Sequence, residues 1–253
     1  MSTTPLCYNA DDLTFCGQLA CPDVPDKVPG ILIFPEAPGV GAHVIRRAAA
    51  LARLNYVALA ADLHGDGVLF DDPKVMRAGI DLLKSQPERL HRRLQASLQA
   101  LAQVPQVDPQ RMAVIGYCFG GWCALELART GAALRGVGIF HGALISSQQN
   151  TAGQIRGKLL VCTGDGDPLV PMDQIAGFSA EMSAAGVDWQ VHLYGGACHG
   201  FTSPEAGSNP RPGFGYSASA DRRSWAELSS FLGEIFDLQV DHDSRASTAR
   251  RGT

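Results

Sequence analysis

Short apolar runs and amphipathic segments alternate along most of the chain. The apolar runs are continuous, which indicates strands covered on both faces; they span residues 30–35, 56–63, 111–117, 136–142, 158–164 and 189–195. Between them, apolar positions recur with helical spacing at residues 42–54, 73–83, 87–103, 119–130, 172–185 and 221–236. This alternation predicts an α/β fold with a mostly parallel sheet and helices on both of its faces.

Two segments and the end of the chain depart from this pattern. Residues 64–73 and 202–220 show no period, and the second segment is rich in Gly, Pro, Ser and Ala. Because long irregular segments in compact domains are usually functional or mobile, residues 202–220 are either a lid over a site or a surface loop without a role. Residues 1–240 are predicted to form one domain, and the polar residues 241–253 a disordered tail.

Composition narrows the range of partners. The chain has 253 residues, 21 Lys and Arg against 25 Asp and Glu, and a formal net charge of −4, without a basic stripe. Nucleic acid is therefore not expected as a partner. The first residues lack the pattern of a signal peptide, and no apolar run reaches the ~18 residues of a membrane helix. We expect a cytoplasmic monomer or homodimer that acts on a small molecule and does not bind a membrane.

The seven cysteines suggest neither a disulfide framework nor a zinc ribbon, because their number is odd and no C-x-x-C pair occurs. We expect reduced thiols, most of them buried as small apolar side chains. A zinc site built from Cys162, Cys198 and His199 matches known ligand spacings poorly, and no metal is expected.

One cysteine, Cys118, stands where a predicted strand meets a predicted helix. The residues from Gly116 to Gly120 read G-Y-C-F-G, which is the nucleophile-elbow pattern G-x-S-x-G with sulfur in place of oxygen. The glycines allow a sharp turn that lifts the sulfur above the C-terminal edge of the sheet, where the helix N-terminus favours a thiolate. The alternative is an inert thiol in a glycine-flanked turn.

A nucleophilic thiol needs a base and an acid that orients the base, in the chain order nucleophile, acid, histidine. Asp165 and Asp167 follow the fifth predicted strand, and His199 follows the sixth. Both loops lie at the C-terminal edge of a parallel sheet, where catalytic groups gather. The predicted catalytic residues are therefore Cys118, His199 and one of the two aspartates.

The loop after the first predicted strand supplies further candidates. The backbone N–H group of Ala37, together with that of Phe119, is predicted to hold an oxyanion. Beside them, Glu36 is a carboxylate without a neighbouring cation in the sequence. Glu36 either caps the following helix or lies near the thiol, where it would hydrogen-bond the neutral thiol or repel the thiolate.

With these residues in view, the chain resembles the dienelactone hydrolase family, a branch of the α/β-hydrolase fold. The resemblance covers most of residues 12–236 and rests on the motifs P-E-A-P-G-V, G-Y-C-F-G-G, G-D-G-D-P-L-V-P and C-H-G-F in this order. It implies a three-layer fold, a triad of Cys118, His199 and Asp167, and a pairing of Glu36 with the resting thiol. It also implies that the enzyme needs no metal or cofactor.

The arginine positions differ from what the resemblance implies for dienelactone itself. Family members that cleave dienelactones are expected to carry arginines that grip the substrate carboxylate, one of them shortly after the catalytic histidine. Here no arginine follows His199 until Arg211, so the sequence does not favour dienelactone as the substrate.

We therefore expect a cysteine-dependent hydrolase of esters or lactones that acts through an acyl-thioester intermediate. Two alternatives remain open: a binding or thiol redox-sensing module on the same fold, and an acyltransferase that uses the same residues. The complete acid and base equipment argues against the first alternative, and only product analysis separates the second from hydrolysis.

Overall fold

A computed structural model describes residues 2–146, 152–209 and 211–237, so the predicted tail at residues 241–253 lies outside the described residues. The strands are β1 (Thr4–Ala10), β2 (Leu13–Ala20), β3 (Val28–Phe34), β4 (Val57–Ala60), β5 (Val107–Tyr117), β6 (Gly136–Phe140), β7 (Lys158–Gly164) and β8 (Trp189–Tyr194). The α-helices are α1 (Ala42–Arg53), α2 (Pro73–Ser85), α3 (Pro87–Ala102), α4 (Phe119–Arg129), α5 (Met172–Ala184) and α6 (Ala218–Ile235).

All eight described strands form one sheet in the order β1-β2-β4-β3-β5-β6-β7-β8. From β4 through β8 every pair of neighbours is parallel, whereas β1 and β2 form an antiparallel hairpin at one edge. The mostly parallel sheet and the three-layer α/β-hydrolase arrangement predicted from the sequence are confirmed. The C-terminal ends of the parallel strands therefore share one edge, at which the loops carrying the site residues meet.

The hairpin of β1 and β2 is the part of the sheet that the apolar pattern did not predict. In β1 only Tyr8 is buried, and in β2 the buried residues Phe15, Gly17 and Ala20 are separated by partly buried ones. An antiparallel edge hairpin is packed against the core on only one of its faces, so its strands carry no continuous apolar run. A search for such runs misses strands of this kind.

Each face of the sheet has its own apolar core. Successive residues of β3 point to opposite faces, so Ile31 and Ile33 pack in the cluster that includes α1 and α6. Leu32 and Phe34 pack in the other cluster, with residues of α3, α4 and α5. These four side chains are completely buried, which holds β3 and the loop after it in a fixed position.

The helices begin and end within three residues of the predicted bounds. Helix α2 starts where Asp72 accepts a hydrogen bond from the N–H group of Lys74, with Pro73 in the first turn. Helix α6 starts after Ser217, three residues earlier than predicted. None of the helices in the described ranges has the length and apolar character needed to cross a bilayer.

Cys7 and Cys16 form a disulfide, which corrects the expectation of seven reduced thiols. The antiparallel register of β1 and β2 places the two residues directly opposite each other, with Cα atoms 4.2 Å apart. This pairing follows from the register of a hairpin that the apolar pattern did not reveal. The free cysteines are Cys21, Cys118, Cys123, Cys162 and Cys198.

Candidate active site

Cys118 is the single residue between the end of β5 and the start of α4. Its backbone adopts φ 55° and ψ −116°, a strained conformation typical of a nucleophile elbow. Glycine is required on both sides of this turn because other backbone atoms lie too close for a Cβ atom. A Cβ atom on Gly116 would lie 2.0 Å from the carbonyl oxygen of Gly120, and one on Gly120 would lie 2.2 Å from that of Phe34. The turn is therefore packed against β3 without room for side chains at either glycine.

Three side chains that the sequence singled out form a continuous chain of contacts. Nε2 of His199 lies 3.0 Å from Sγ of Cys118, and Nδ1 of His199 lies 2.9 Å from Oδ2 of Asp167. Asp167 follows β7 and His199 follows β8, at the same edge as the elbow. Asp167 and His199 are 3% and 4% exposed, so solvent does not compete for these contacts.

The choice between the two aspartates is decided by their partners. The second oxygen of Asp167 accepts a hydrogen bond from the N–H group of Leu169 over 2.8 Å, which orients the carboxylate toward His199. Asp165 is exposed and accepts instead from the N–H group of Gly196 over 2.6 Å. The geometry therefore favours Asp167 as the acid, and Asp165 braces the turn that precedes the histidine.

The environment of His199 favours its protonated form. Burial by itself would lower the pKa of His199, but the charge of Cys118 and the hydrogen bonds to Asp167 and Cys118 outweigh burial and raise the pKa to about 10. At neutral pH the imidazolium can therefore stabilise negative charge on Sγ of Cys118. This arrangement suits a nucleophilic thiolate with a general acid beside it.

The two predicted oxyanion donors flank the elbow. The N–H group of Phe119 opens α4, where helical N–H groups have no intrahelical acceptor. Ala37 lies in the loop after β3, and its carbonyl oxygen accepts from Nε2 of His64 over 2.9 Å. No backbone or side-chain acceptor for the N–H group of Ala37 occurs among the described residues. Both N–H groups are thus available to an anionic oxygen.

Glu36 does not pair with the thiol, contrary to what the resemblance implied. Its carboxylate contacts Nδ1 of His43, in the first turn of α1, whereas Sγ of Cys118 contacts His199. Nε of Arg47 donates to Nε2 of His43 over 3.1 Å, so Nδ1 of the neutral imidazole donates to Glu36. The carboxylate of Glu36 therefore pairs with a histidine seven residues further along the chain and not with the cysteine of the elbow.

Arg47, in α1, extends this network to α6. It forms an ion pair with Asp221 of α6 and donates to the carbonyl oxygen of Thr202 over 3.1 Å. Its guanidinium group also lies 4.9 Å from the ring centroid of Trp225. The network ties α1, which follows the loop of Glu36 and Ala37, to α6 and to the segment after His199.

His141 is a site residue that sequence reasoning missed. Its Nδ1 accepts from the N–H group of Cys118 over 3.1 Å, and its Nε2 lies 2.8 Å from Oγ1 of Thr202. Burial lowers the pKa of His141 well below its usual value, and the charge of His199 lowers it further, so the ring is neutral. His141 therefore holds the backbone of the elbow. The available signal was its position at the end of a predicted strand.

A cavity of about 340 Å³ opens beside Cys118 and His199. One side is the loop after β3. Another side includes the short 3-10 turn at Pro204–Ser208 and is formed by Ser203, Glu205, Ala206, Asn209 and Phe214. Two glycines near Phe214 also fix the backbone of His199. The N–H group of His199 donates to the carbonyl oxygen of Gly213 over 2.8 Å, and its carbonyl oxygen accepts from the N–H group of Gly215 over 3.0 Å. Part of the predicted irregular segment therefore lines the site, up to Phe214, whereas its last three residues already belong to α6; a lid function stays a prediction.

Within the described ranges, no three His, Cys, Asp or Glu side chains gather in a metal-binding arrangement. Two of the three residues considered for a zinc site contact other groups. Sγ of Cys162 lies 3.7 Å from the hydroxyl group of Tyr194, and His199 belongs to the chain of contacts with Asp167.

Comparison with known proteins agrees with the geometry. The model of the dienelactone hydrolase family matches residues 15–236. A crystal structure of a dienelactone hydrolase-like promiscuous phosphotriesterase from metagenomic libraries is 39% identical, with 92% of this chain and 98% of that chain covered and a TM-score of 0.89. A probable 2-oxo-3-(5-oxofuran-2-ylidene)propanoate lactonase of a Bradyrhizobium species is 28% identical over 72% of this chain and 77% of its own length. An uncharacterized protein of Caenorhabditis elegans is 37% identical over 58% of this chain and 95% of its own length.

Proposed function

The chain belongs to the dienelactone hydrolase family, and we propose that it hydrolyses esters or lactones with Cys118 as the nucleophile. The observation that carries the proposal is the continuous contact from Sγ of Cys118 through the imidazole of His199 to the carboxylate of Asp167. Nucleophile, base and orienting acid are the parts that acyl transfer to a thiol requires.

In the first half of the reaction, Sγ of Cys118 attacks the carbonyl carbon as a thiolate. The N–H groups of Ala37 and Phe119 hold the negative oxygen of the tetrahedral intermediate. When the intermediate collapses, the C–O bond to the leaving group breaks and His199 gives its Nε2 proton to the departing alkoxide. An alcohol leaves and an acyl-thioester remains; from a lactone, the hydroxyl group stays on the acyl chain.

In the second half, neutral His199 takes a proton from water, and the resulting hydroxide attacks the thioester carbonyl. The C–S bond breaks, the acid is released, and Cys118 leaves as a thiolate beside the imidazolium. Asp167 keeps the imidazole in the tautomer and orientation that both halves need. The polar network of Glu36, His43 and Arg47 holds the loop of Ala37 in place and does not touch the reacting atoms.

The names of the relatives support this choice of substrates. One relative is named as a probable lactonase, and another is described as a promiscuous phosphotriesterase. A first substrate panel therefore contains p-nitrophenyl acetate, a small lactone and diethyl p-nitrophenyl phosphate. The ester and the lactone are the substrates that the proposal expects to be hydrolysed through Cys118.

The decisive experiment compares the wild type with Cys118→Ala on p-nitrophenyl acetate, with quenched samples weighed intact. We expect nitrophenolate release and an acetyl adduct on Cys118 in the wild type, and neither in the variant. Cys21→Ala is the matched control, because Cys21 is also a half-buried free thiol but lies outside the site. A folded wild type without turnover or adduct, whose Cys118 is oxidised rapidly by peroxide, would support the redox-sensing alternative instead. Acyl products formed with added alcohols or amines would identify an acyltransferase.

A further inference from the structure

The cavity beside Cys118 has negatively charged side chains and no positively charged lysine or arginine in its described lining. Its carboxylates are Glu36, on the loop after β3, and Glu205, in the 3-10 turn. Two of its histidines, His43 and His141, accept a hydrogen bond at one ring nitrogen and are therefore neutral. A substrate that enters thus meets negative charge away from the reacting atoms.

The arginines near the cavity contact other groups of the chain, and one of them pairs with Glu205 itself. Nη2 of Arg46 lies 2.7 Å from the carboxylate of Glu205, and Arg47 is paired with Asp221 outside the cavity lining. The guanidinium group of Arg211 stacks over the ring of Phe214, with its central carbon 4.5 Å from the ring centroid. Only Arg211 among these three has no carboxylate partner in the described part of the chain.

Glu205 is held in place on the rim. One oxygen accepts from Oγ of Ser203 over 2.9 Å and from Nη2 of Arg46 over 2.8 Å. Burial acts to raise the pKa of Glu205, but the hydrogen bonds from Arg46 and Ser203 lower it below its usual value. The carboxylate is therefore ionised at neutral pH and fixed in direction.

We infer that the cavity selects esters and lactones whose acyl part carries no carboxylate, and that Glu205 is a specificity-determining residue for this choice. A substrate carboxylate would lose water on entry, and it would find the guanidinium group of Arg46 on the rim already paired with Glu205. The inference rests on the proposed hydrolase function and names its substrate class. It separates this chain from enzymes that grip an anionic acyl group with arginines.

The test measures kcat/KM for two p-nitrophenyl esters of equal chain length, the hexanoate and the monoester of adipic acid. We expect the neutral ester to be preferred about tenfold at low ionic strength, and the preference to shrink as salt screens the charges. Glu205→Gln should reduce the ratio several-fold, and Glu205→Lys should reduce it further. Because each ratio comes from one protein sample, a general loss of activity in a variant cancels.

Glu227→Gln is the control, because it removes an exposed carboxylate that pairs with His192 on the surface outside the cavity. An equal rate on both esters, or an unchanged ratio in Glu205→Gln, would overturn the inference and leave the hydrolase proposal standing. A preference for the adipate ester that disappears in Arg211→Gln would overturn it in favour of an arginine grip. Failure of the proposed function itself would be seen separately, as the absence of turnover of either ester and of any adduct on Cys118.

Discussion

Nε2 of His64 donates a hydrogen bond to the carbonyl oxygen of Ala37 over 2.9 Å, which joins the loop after β4 to the loop that carries this proposed oxyanion donor. The N–H group of His64 is itself fixed by Oδ1 of Asp62 over 2.9 Å. The same carboxylate accepts from three further backbone N–H groups, those of Cys16, Gly65 and Gly67. One buried carboxylate therefore fixes the loop whose histidine positions Ala37.

His64→Leu should lower kcat for p-nitrophenyl acetate by about tenfold with a smaller change in KM. Direct loss of an oxyanion donor costs on the order of 100-fold, and a displaced Ala37 amide should cost part of that. His64→Gln keeps a donor and should recover part of the rate. His192→Leu is the control, because His192 is a half-buried histidine of β8 that does not line the cavity. A KM effect as large as the kcat effect, or no recovery with Gln, would contradict a positioning role.

The raised pKa of His199 gives a prediction that NMR can check. Burial lowers the pKa of His199, but the charge of Cys118 and the hydrogen bonds to Asp167 and Cys118 together raise it to about 10, so Cys118→Ala should lower it. Asp167→Asn should lower it as well, because it removes a carboxylate that favours the imidazolium. In the wild type, the imidazolium proposed as general acid should be lost as pH rises through about 10.

The measurement is an NMR pH titration of isotope-labelled imidazoles in the wild type, Cys118→Ala and Asp167→Asn. Cys21→Ala is the control and should leave the His199 titration where it is. An unchanged pKa in Cys118→Ala would mean that the thiol does not interact electrostatically with the histidine.

Gly120 and Gly177 form a matched pair for testing the elbow, since both lie in α-helices. A Cβ atom on Gly120 would lie 2.2 Å from a backbone oxygen of β3, whereas one on Gly177 would have no neighbour within 4 Å. Gly120→Ala should therefore cost about 3 kcal/mol of unfolding free energy and most of the activity. Gly177→Ala should stabilise by about 0.5–1 kcal/mol. Chemical denaturation measures the unfolding free energy of both variants, and ester hydrolysis measures their activity. Equal changes in the two variants would argue against the close packing of the elbow.

Much of the site could be predicted because its residues follow from local sequence and strand order. The pattern around Cys118 identifies a turn between a strand and a helix, and a parallel sheet brings loops after successive strands to one edge. The positions of Asp167 and His199 after two such strands are therefore enough to expect them beside the thiol. Their catalytic roles remain a prediction.

The contacts that could not be predicted are those whose two partners are not specified by local sequence or by strand order. Glu36 pairs with His43 rather than with Cys118 because of side-chain directions at the start of α1, which the loop sequence does not specify. His141 holds the elbow through a bond between residues 23 positions apart. The Cys7–Cys16 pair depends on the register of a hairpin whose strands lack a continuous apolar run.

The disulfide in that hairpin should contribute to stability more than to catalysis. It closes a loop of sequence separation nine, for which chain entropy predicts about 2–3 kcal/mol. Cys7→Ser with Cys16→Ser should lower the unfolding free energy by that amount while retaining activity at moderate temperature, because Asp62 is bound by the main chain of Cys16. Thiol counting under non-reducing conditions gives the redox state. Since disulfides are rare in the cytoplasm, a bonded pair in freshly lysed cells would contradict the expected location.

Glu36→Gln separates the two roles considered for this carboxylate. In the structure Glu36 accepts from His43, and a glutamine oxygen can accept the same hydrogen bond. The rate of Cys118 alkylation by iodoacetamide in Glu36→Gln should therefore stay within about twofold of the wild type. If the Glu36 carboxylate instead restrained the thiol, its removal in this variant would make Cys118 several-fold more reactive. Glu36→Leu, which leaves Nδ1 of His43 without an acceptor, should lower stability by about 1–3 kcal/mol. A marked rise in alkylation rate in Glu36→Gln, seen by intact mass at fixed pH, would restore the thiol-restraining role and show that the pairing with His43 is not the one that governs the resting enzyme.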